Sequence, residues 1–314
     1  MMRVSSNTIT NSLIFEMNRV ELNQAQLENE VTTGLAVQNP SDNPAAMASI
    51  LNLEAESSSV TQYQSNITQL QEQASTASSA MESLQTVAQS AGEIATEADG
   101  TATQQDLNNY ATQVTQLIQE AAQAANTESQ GNYVFGGTAN NQPPYVVNLN
   151  SSGQVTSVSY QGNTTVPSVE IAEGVSLSVL PVGANTTGTG PAGLITDTRS
   201  GADFFNHLIS LQNDLLSGNT GAISSTDLTN LQKDSDNITQ QIATNGAVQQ
   251  RMTAESTIEQ DRSAALGSLT SSQADADTAT VMEQLSQTQT AFQAAAQATA
   301  SFNDLTMTIL NYLE

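Results

Sequence analysis

The chain has 314 residues, room for two or three units, yet only 38% are hydrophobic and 4% aromatic, with no Trp; this argues against a broad globular core and for thin cores between long helices. The net charge of −25 comes from 31 acidic residues set against six basic ones (Arg3, Arg19, Arg199, Lys233, Arg251 and Arg262), so nucleic-acid binding, which needs clustered cations on phosphates, is all but excluded and anionic membrane surfaces are disfavoured. The absence of Cys removes disulfides and thiolate metal sites.

Met1 to Asn11 has neither a basic region ahead of an apolar core nor a small-residue cleavage site, so no signal peptide is expected. No apolar run approaches the roughly 18 residues of a membrane span. Ile9, Leu13, Met17, Val20, Leu27 and Val31 recur at helical spacing and predict a first helix from about Thr8 to Thr33. Gly34 suits a left-handed cap at its end. Pro40 breaks any continuation through Leu35 to Asn43, and Asn43-Pro44 reads as an N-cap followed by proline in the first helical position.

The helix that starts there carries the cleanest pattern in the chain. Val60, Tyr63, Ile67, Leu70, Ala74, Ala77, Met81, Leu84, Ala88, Ala91, Ala95 and Ala98 alternate in steps of three and four, a heptad seam. Asp99-Gly100 is a turn signal. A third helix follows through Leu107, Tyr110, Val114, Leu117, Ala121 and Ala124, and the short connection implies an antiparallel hairpin. From Asn132 the character becomes β-like. The runs Tyr145 to Val147, Val155 to Tyr160, Val166 to Ile171 and Val175 to Val182 are punctuated by glycines, as in a small antiparallel β unit, and Asn185 to Gly193 reads as a loop leading back to helices. Phe205, Leu208, Leu211 and Leu215 restart the helical pattern near Phe204. A long helix is then predicted over Asp227 to Leu269, with a rougher seam of Leu228, Leu231, Ile238, Ile242, Met252, Ile258 and Leu266. Ser271-Ser272 marks a weak joint before a terminal helix whose stripe is Val281, Leu285, Phe292, Ala295, Ala298, Phe302, Leu305 and Ile309. The fold class expected is mainly α with a small β insert: a long antiparallel, coiled-coil-like bundle built from the two halves of the chain, with an outer antiparallel β domain.

Catalytic signals are weak. The single His, His207, lies beside Phe204-Phe205-Asn206 and reads as a surface or helix-terminal residue. No Gly-x-Ser-x-Gly elbow, phosphate loop or dinucleotide fingerprint occurs. Asp275 and Asp277 read as an anionic cluster at a helix N-terminus rather than a cation site. Asn163-Thr164-Thr165 and Asn185-Thr186-Thr187 match the glycosylation pattern, as Asn/Thr-rich loops do by chance. No catalytic residue, cofactor or metal ligand is expected. The apolar stripes at the two ends instead predict an assembly surface, each stripe packing against the other and against the same segments of neighbouring molecules.

Thr32-Thr33-Gly34 followed by Asn39-Pro40-Ser41-Asp42-Asn43-Pro44-Ala45-Ala46 resembles the linker of bacterial flagellins and flagellin-like proteins, and the stretch from Asp275 through Gln284-Leu285-Ser286-Gln287-Thr288-Gln289 to Ala291-Phe292-Gln293-Ala294-Ala295 resembles that family's closing helix. Met2-Arg3-Val4-Ser5, Asn132-Tyr133-Val134-Phe135-Gly136-Gly137-Thr138 before Pro143-Pro144-Tyr145, and Leu310-Asn311-Tyr312-Leu313 are most similar to its hook–filament junction branch, hook-associated protein 3. Positions 35 and 36 are Leu and Ala where the family usually carries basic residues, so any ionic contact made there in relatives is missing.

The resemblance implies a structural subunit, not an enzyme, joining flagellar hook to filament. Residues 1–40 and 275–314 would form an inner terminal-helix assembly layer, 41–140 and 199–274 a long-helix bundle, and 141–198 an outward-facing β domain. Implied partners are copies of itself, a neighbouring hook-associated protein, flagellin, the export apparatus and an export chaperone, without nucleic acid or membrane insertion. The implied location is extracellular, reached without a cleaved signal. Gly34, Asn39, Pro40, Ser41, Asp42 and Pro44 carry the family linker. The same pattern fits a short flagellin that builds the filament itself or, less well, a secreted helical adhesin or an enzyme using Glu170, Glu173 or Asp197 of the insert. The terminal segments are expected to be unfolded in the monomer and to fold on assembly, because a lone amphipathic helix gains too little to offset its backbone entropy.

Overall fold

The computed structural model describes the backbone of residues 3–98 and 100–313, and the side chains of these except at 3–10, 302, 303, 306 and 309–313. Three helices come first: α1 (Arg3–Thr33), α2 (Pro44–Glu97) and α3 (Gln104–Ala125). Nine short strands follow, β1 (Glu128–Ser129), β2 (Asn132–Tyr133), β3 (Tyr145–Leu149), β4 (Val155–Tyr160), β5 (Val169–Ala172), β6 (Val175–Leu177), β7 (Val182–Asn185), β8 (Gly193–Asp197) and β9 (Ala202–Asp203). The chain returns through α4 (Phe204–Ser217), the single turn α5 (Thr220–Ala222), a π-helix (Ile223–Asp227), α6 (Leu228–Ala274) and α7 (Thr278–Leu313). They pack as two units, one of residues 1–59 with 262–314 and one of residues 60–261.

In the unit of residues 60–261 the α2 seam is as the heptad predicts. Every residue of it is buried except the half-buried Tyr63. Its Ala-rich part shares one core with Leu107, Val114 and Ile118 of α3, with Phe204, Leu208, Leu211 and Leu215 of α4, and with Leu231 and Ile238 of α6. Small side chains bring the backbones close, and the few large ones fill the gaps. Thr103 and Asp106 form a reciprocal capping box at the start of α3, and Gly218 ends α4 in the left-handed conformation.

The α6 seam departs from expectation. Ile258 is 56% exposed and Leu228 and Ile242 are only half-buried, whereas Asp227, Leu231, Asp234, Ile238, Gln241, Asn245, Met252, Glu259 and Leu266 are buried. These positions advance by three, four or seven, so α6 does carry a regular heptad, with polar residues at about half of the positions. Hydrogen bonds tie part of this polar set: on the seam Asn245 donates to the Ala74 carbonyl at 2.9 Å, and beside it the buried Asn237 donates to those of Gly193 and Leu194 at 2.9 and 2.8 Å. Buried polar groups with few alternative partners fix register more than they add stability.

The β segment contains antiparallel pairs β1–β2, β3–β4 and β5–β6, and a three-stranded sheet in the order β7-β8-β9. In that sheet β7 and β8 run parallel, so the expected loop over Asn185 to Gly193 instead leads into a strand. Asn185, 1% exposed, organises the reversal by donating to the carbonyls of Thr189 and Pro191, each at 2.6 Å, and accepting from Thr187 N–H at 2.9 Å. Asn163 likewise binds Thr138 and Thr165. Both sequon-like Asn residues are therefore structural parts of their loops. The hairpin β5–β6 and the segment after it contribute Ile171, Leu177 and Val179 to a second small core with Ile67, Leu70, Ala74 and Met252.

Candidate assembly surface

In the other unit, α1 and α7 pack along each other. Helix α1 begins at Arg3, earlier than the apolar stripe suggests, because Ser5, Ser6 and Asn7 give no periodic signal. Its seam toward α7 is Leu13, Met17, Val20, Gln24, Leu27 and Val31, with Leu27 buried and the rest half-buried. On α7 the matching line is Val281, Leu285, Thr288, Phe292, Ala295 and Thr299, with Val281 buried and the rest half-buried. Both lines step by three and four, the geometry of a coiled-coil seam. Thr299 Oγ1 lies 3.5 Å from Met17 Sδ across the pair.

Sequence reasoning selected Ala298 and Leu305 on α7. Both side chains are exposed, off the line that runs through Thr299. It passed over Gln24, Thr288 and Thr299 because polar residues do not register in an apolar stripe, although the three-four spacing points to them. The side chains of Ile9, Phe302 and Ile309 lie outside the described residues. A second apolar set, absent from the sequence-based selection except for Leu305, faces away from the seam: Ile14, Phe15, Leu22, Met282, Leu305 and Met307 are 48–73% exposed.

The linker residues form a compact hinge beside this pair. Gly34 has φ +74° and its N–H donates to Glu30 O at 2.8 Å, ending α1 in the left-handed conformation. Leu35 and Asp275 then form an isolated antiparallel bridge, with Ala36 N–H donating to Ala274 O at 2.7 Å and Ala276 N–H to Gly34 O at 2.8 Å. The two positions that lack the family's basic residues are thus half-buried backbone partners of the start of the closing segment. Asp42 closes the turn over Asn39, Pro40 and Ser41: its Oδ2 accepts the N–H groups of Asn39 and Gln38 at 2.8 and 3.1 Å, and these bonds hold its carboxyl below the usual range. Asn43 Oδ1 accepts Ala46 N–H at 3.1 Å, so Asn43 and Pro44 are the cap and first residue of α2. Asp277 caps α7, accepting from the Thr280 hydroxyl at 2.9 Å and from Ala279 N–H at 3.1 Å. The Thr280 bonds and the Ala279 bond lower its pKa. Arg262 of α6 reaches one carboxylate oxygen of Glu56 on α2 through Nη2 at 2.6 Å and Nε at 3.2 Å.

Among the described residues no cluster of three or more His, Cys, Asp or Glu is placed to hold a metal ion, and no helix is long and apolar enough to cross a membrane. What the arrangement offers is a two-helix apolar surface drawn from both ends of the chain.

Residues 4–140 match the bacterial flagellin N-terminal helical region. No curated protein matches the chain. Among solved structures, one from Vibrio parahaemolyticus described as a flagellar hook-associated protein superposes with a TM-score of 0.63 at 22% identity, covering 74% of this chain and 100% of that one. FlgL of Xanthomonas campestris gives 0.55 at 16% identity, with 70% of this chain and 99% of that one covered. FlgL of Bacillus cereus gives 0.52 at 17% identity, with 73% and 100% covered. The N-terminal part of the chain is thus similar to a flagellin N-terminal helical region, and the chain shares the fold of these solved proteins.

Proposed function

We propose that this chain is a structural subunit of the bacterial flagellum, located outside the cell, that joins hook to filament by assembling through α1 and α7. The observation that carries this reading is that the two helices, drawn from opposite ends of the sequence, pair along one seam and still leave Phe15 and Leu22 69% and 73% exposed. A monomer rarely presents such a set without a partner to cover it. Copies of the chain, a neighbouring hook-associated protein and flagellin are the partners, and the export apparatus with a chaperone delivers it. It has no catalytic role. Two carboxylates of the insert have structural tasks: Asp197 is tied to Arg199, and Glu170 accepts Gly174 N–H at 3.0 Å.

The test is the double substitution Phe15→Glu with Leu22→Glu in the full chain. Immunogold labelling of isolated flagella should show loss of a thin band between hook and filament, while amide exchange shows the protection of residues 60–261 unchanged. A band of normal intensity would sink the proposal. Long homopolymers of the unmodified chain would instead favour the filament reading. Loss of every interaction on deleting residues 141–198 would favour an adhesin.

A further inference from the structure

Helix α4 starts where β9 ends and packs on α3 and β4. Its first turns meet α6 and the π-helix through titratable groups that the assembly reading does not use. His207, the only histidine in the chain, is 17% exposed, and its Nδ1 lies 2.7 Å from Oδ2 of Asp234, whose side chain is fully buried. The other Asp234 oxygen accepts the backbone N–H of Asp203 at 2.9 Å. Three residues further along α4, Ser210 Oγ donates to Oδ1 of Asp227 at 2.9 Å. Oδ2 of Asp227 is buried with no hydrogen-bond partner among the described residues. The other charged groups facing this cluster are Asp203 and Lys233 on the His207 side and Asp214 on the Asp227 side. Because α4 supplies Phe204, Phe205, Leu208, Leu211 and Leu215 to the core, whatever secures its first turns secures the core of that unit.

We propose that the contact of α4 with the π-helix and α6 is a proton-operated latch, closed while His207 is a cation and Asp227 a neutral acid, and loosened when both have lost their protons. A buried carboxylate without a countercharge is costly, and the cation that touches Asp234 is His207. A buried carboxylate with one donor and an unpartnered oxygen is costly too, and a proton on Asp227 lowers that cost by removing the charge. The electrostatics agree. Burial works against the charge on His207, but the hydrogen bond and charge of Asp234, with Asp203 behind it, outweigh burial and raise its pKa above 6.5. Burial, aided by Asp214 and opposed by the Ser210 hydrogen bond and by the charge of His207, pushes Asp227 up to about 6. A raised His value contributes stability that is complete below the unfolded value and is lost as pH rises through the folded one. A raised Asp value makes the folded state bind the extra proton between its unfolded value and about 6, so stability falls across that window as well. Both groups act in one direction, and alkalinity opens the latch.

With one imidazole in the chain, an NMR titration of the full protein reads His207 directly. Its midpoint should lie above 6.5. Amide-exchange protection in α4, corrected for the intrinsic pH dependence and taken relative to α2, should fall steadily from pH 5 to 8.5. His207→Gln keeps a donor toward Asp234 without the charge and should abolish the part of the fall centred above 6.5. Asp227→Asn should abolish the lower part and raise α4 protection at pH 7.5 by up to about a hundredfold, the equivalent of two pK units. A His207 midpoint at or below 6.5, or α4 protection that stays flat from pH 5 to 8.5, overturns the latch. Should either variant fail to fold, the titration and exchange of the unmodified chain decide the matter.

Discussion

Four carboxylates in this chain act as backbone caps: the exposed Asp42 closes the linker turn, the exposed Asp106 and Asp277 close helix starts, and the buried Asp197 closes the loop after β8. Asp197 is 2% exposed; the Arg199 hydrogen bond, then the N–H groups of Gly193 and Arg199, bring its pKa down to about 2 despite burial. A lowered carboxylate contributes stability above its unfolded pKa and loses it as pH falls through the folded one. Asp197→Asn should therefore cost on the order of 1–2 kcal/mol near neutrality, Arg199 being partly solvent-screened, and almost nothing at pH 2; chemical denaturation at the two pH values checks this. At Gly34 an added Cβ meets no atom within 4 Å, so only the φ of +74° resists substitution, and Gly34→Ala should cost roughly 1–2 kcal/mol, read in the same way. Gly34, Asn43 and Pro44 were legible in the sequence because their signals are local. The His207–Asp234 pair was not: its members stand 27 positions apart, and only the packing of α4 on α6 makes them neighbours.

At the scale of elements, the heptad of α2 could be read residue by residue because nearly every seam position is apolar. Where seam positions are polar, as at Asp234, Gln241, Asn245 and Glu259 on α6 or Thr288 and Thr299 on α7, apolar residues alone do not trace the buried line: Ile258 answers to the stripe yet is exposed, and Leu305 faces outward with the second apolar set. The parallel pairing of β7 and β8 was hidden for a different reason. It depends on Asn185 folding a short Gly/Thr loop back on itself, and strand periodicity carries no such information. Helices α1 and α7 share a seam poor in large residues, and tertiary packing rather than intrinsic propensity must stabilise them. In a dilute monomer their amides should exchange far faster than those of α2, with protection appearing on polymerisation. Strong protection of both in the monomer would contradict folding on assembly.

For the molecule as a whole, a net charge of −25 means that like copies repel. Assembly should strengthen with salt up to about 0.3 M, where the Debye length drops below about 6 Å, and again on acidification toward pH 5. Sedimentation of the full chain across a salt series measures this, and polymerisation indifferent to ionic strength would count against it. The antiparallel bridge between residues 34–36 and 274–276 also has a mechanical meaning. Strands joined in this sense tolerate a common tug, since a force drawing both helices the same way barely stretches the rungs between them. A force that spreads the helices peels those rungs singly, and this is the direction in which the joint is weakest.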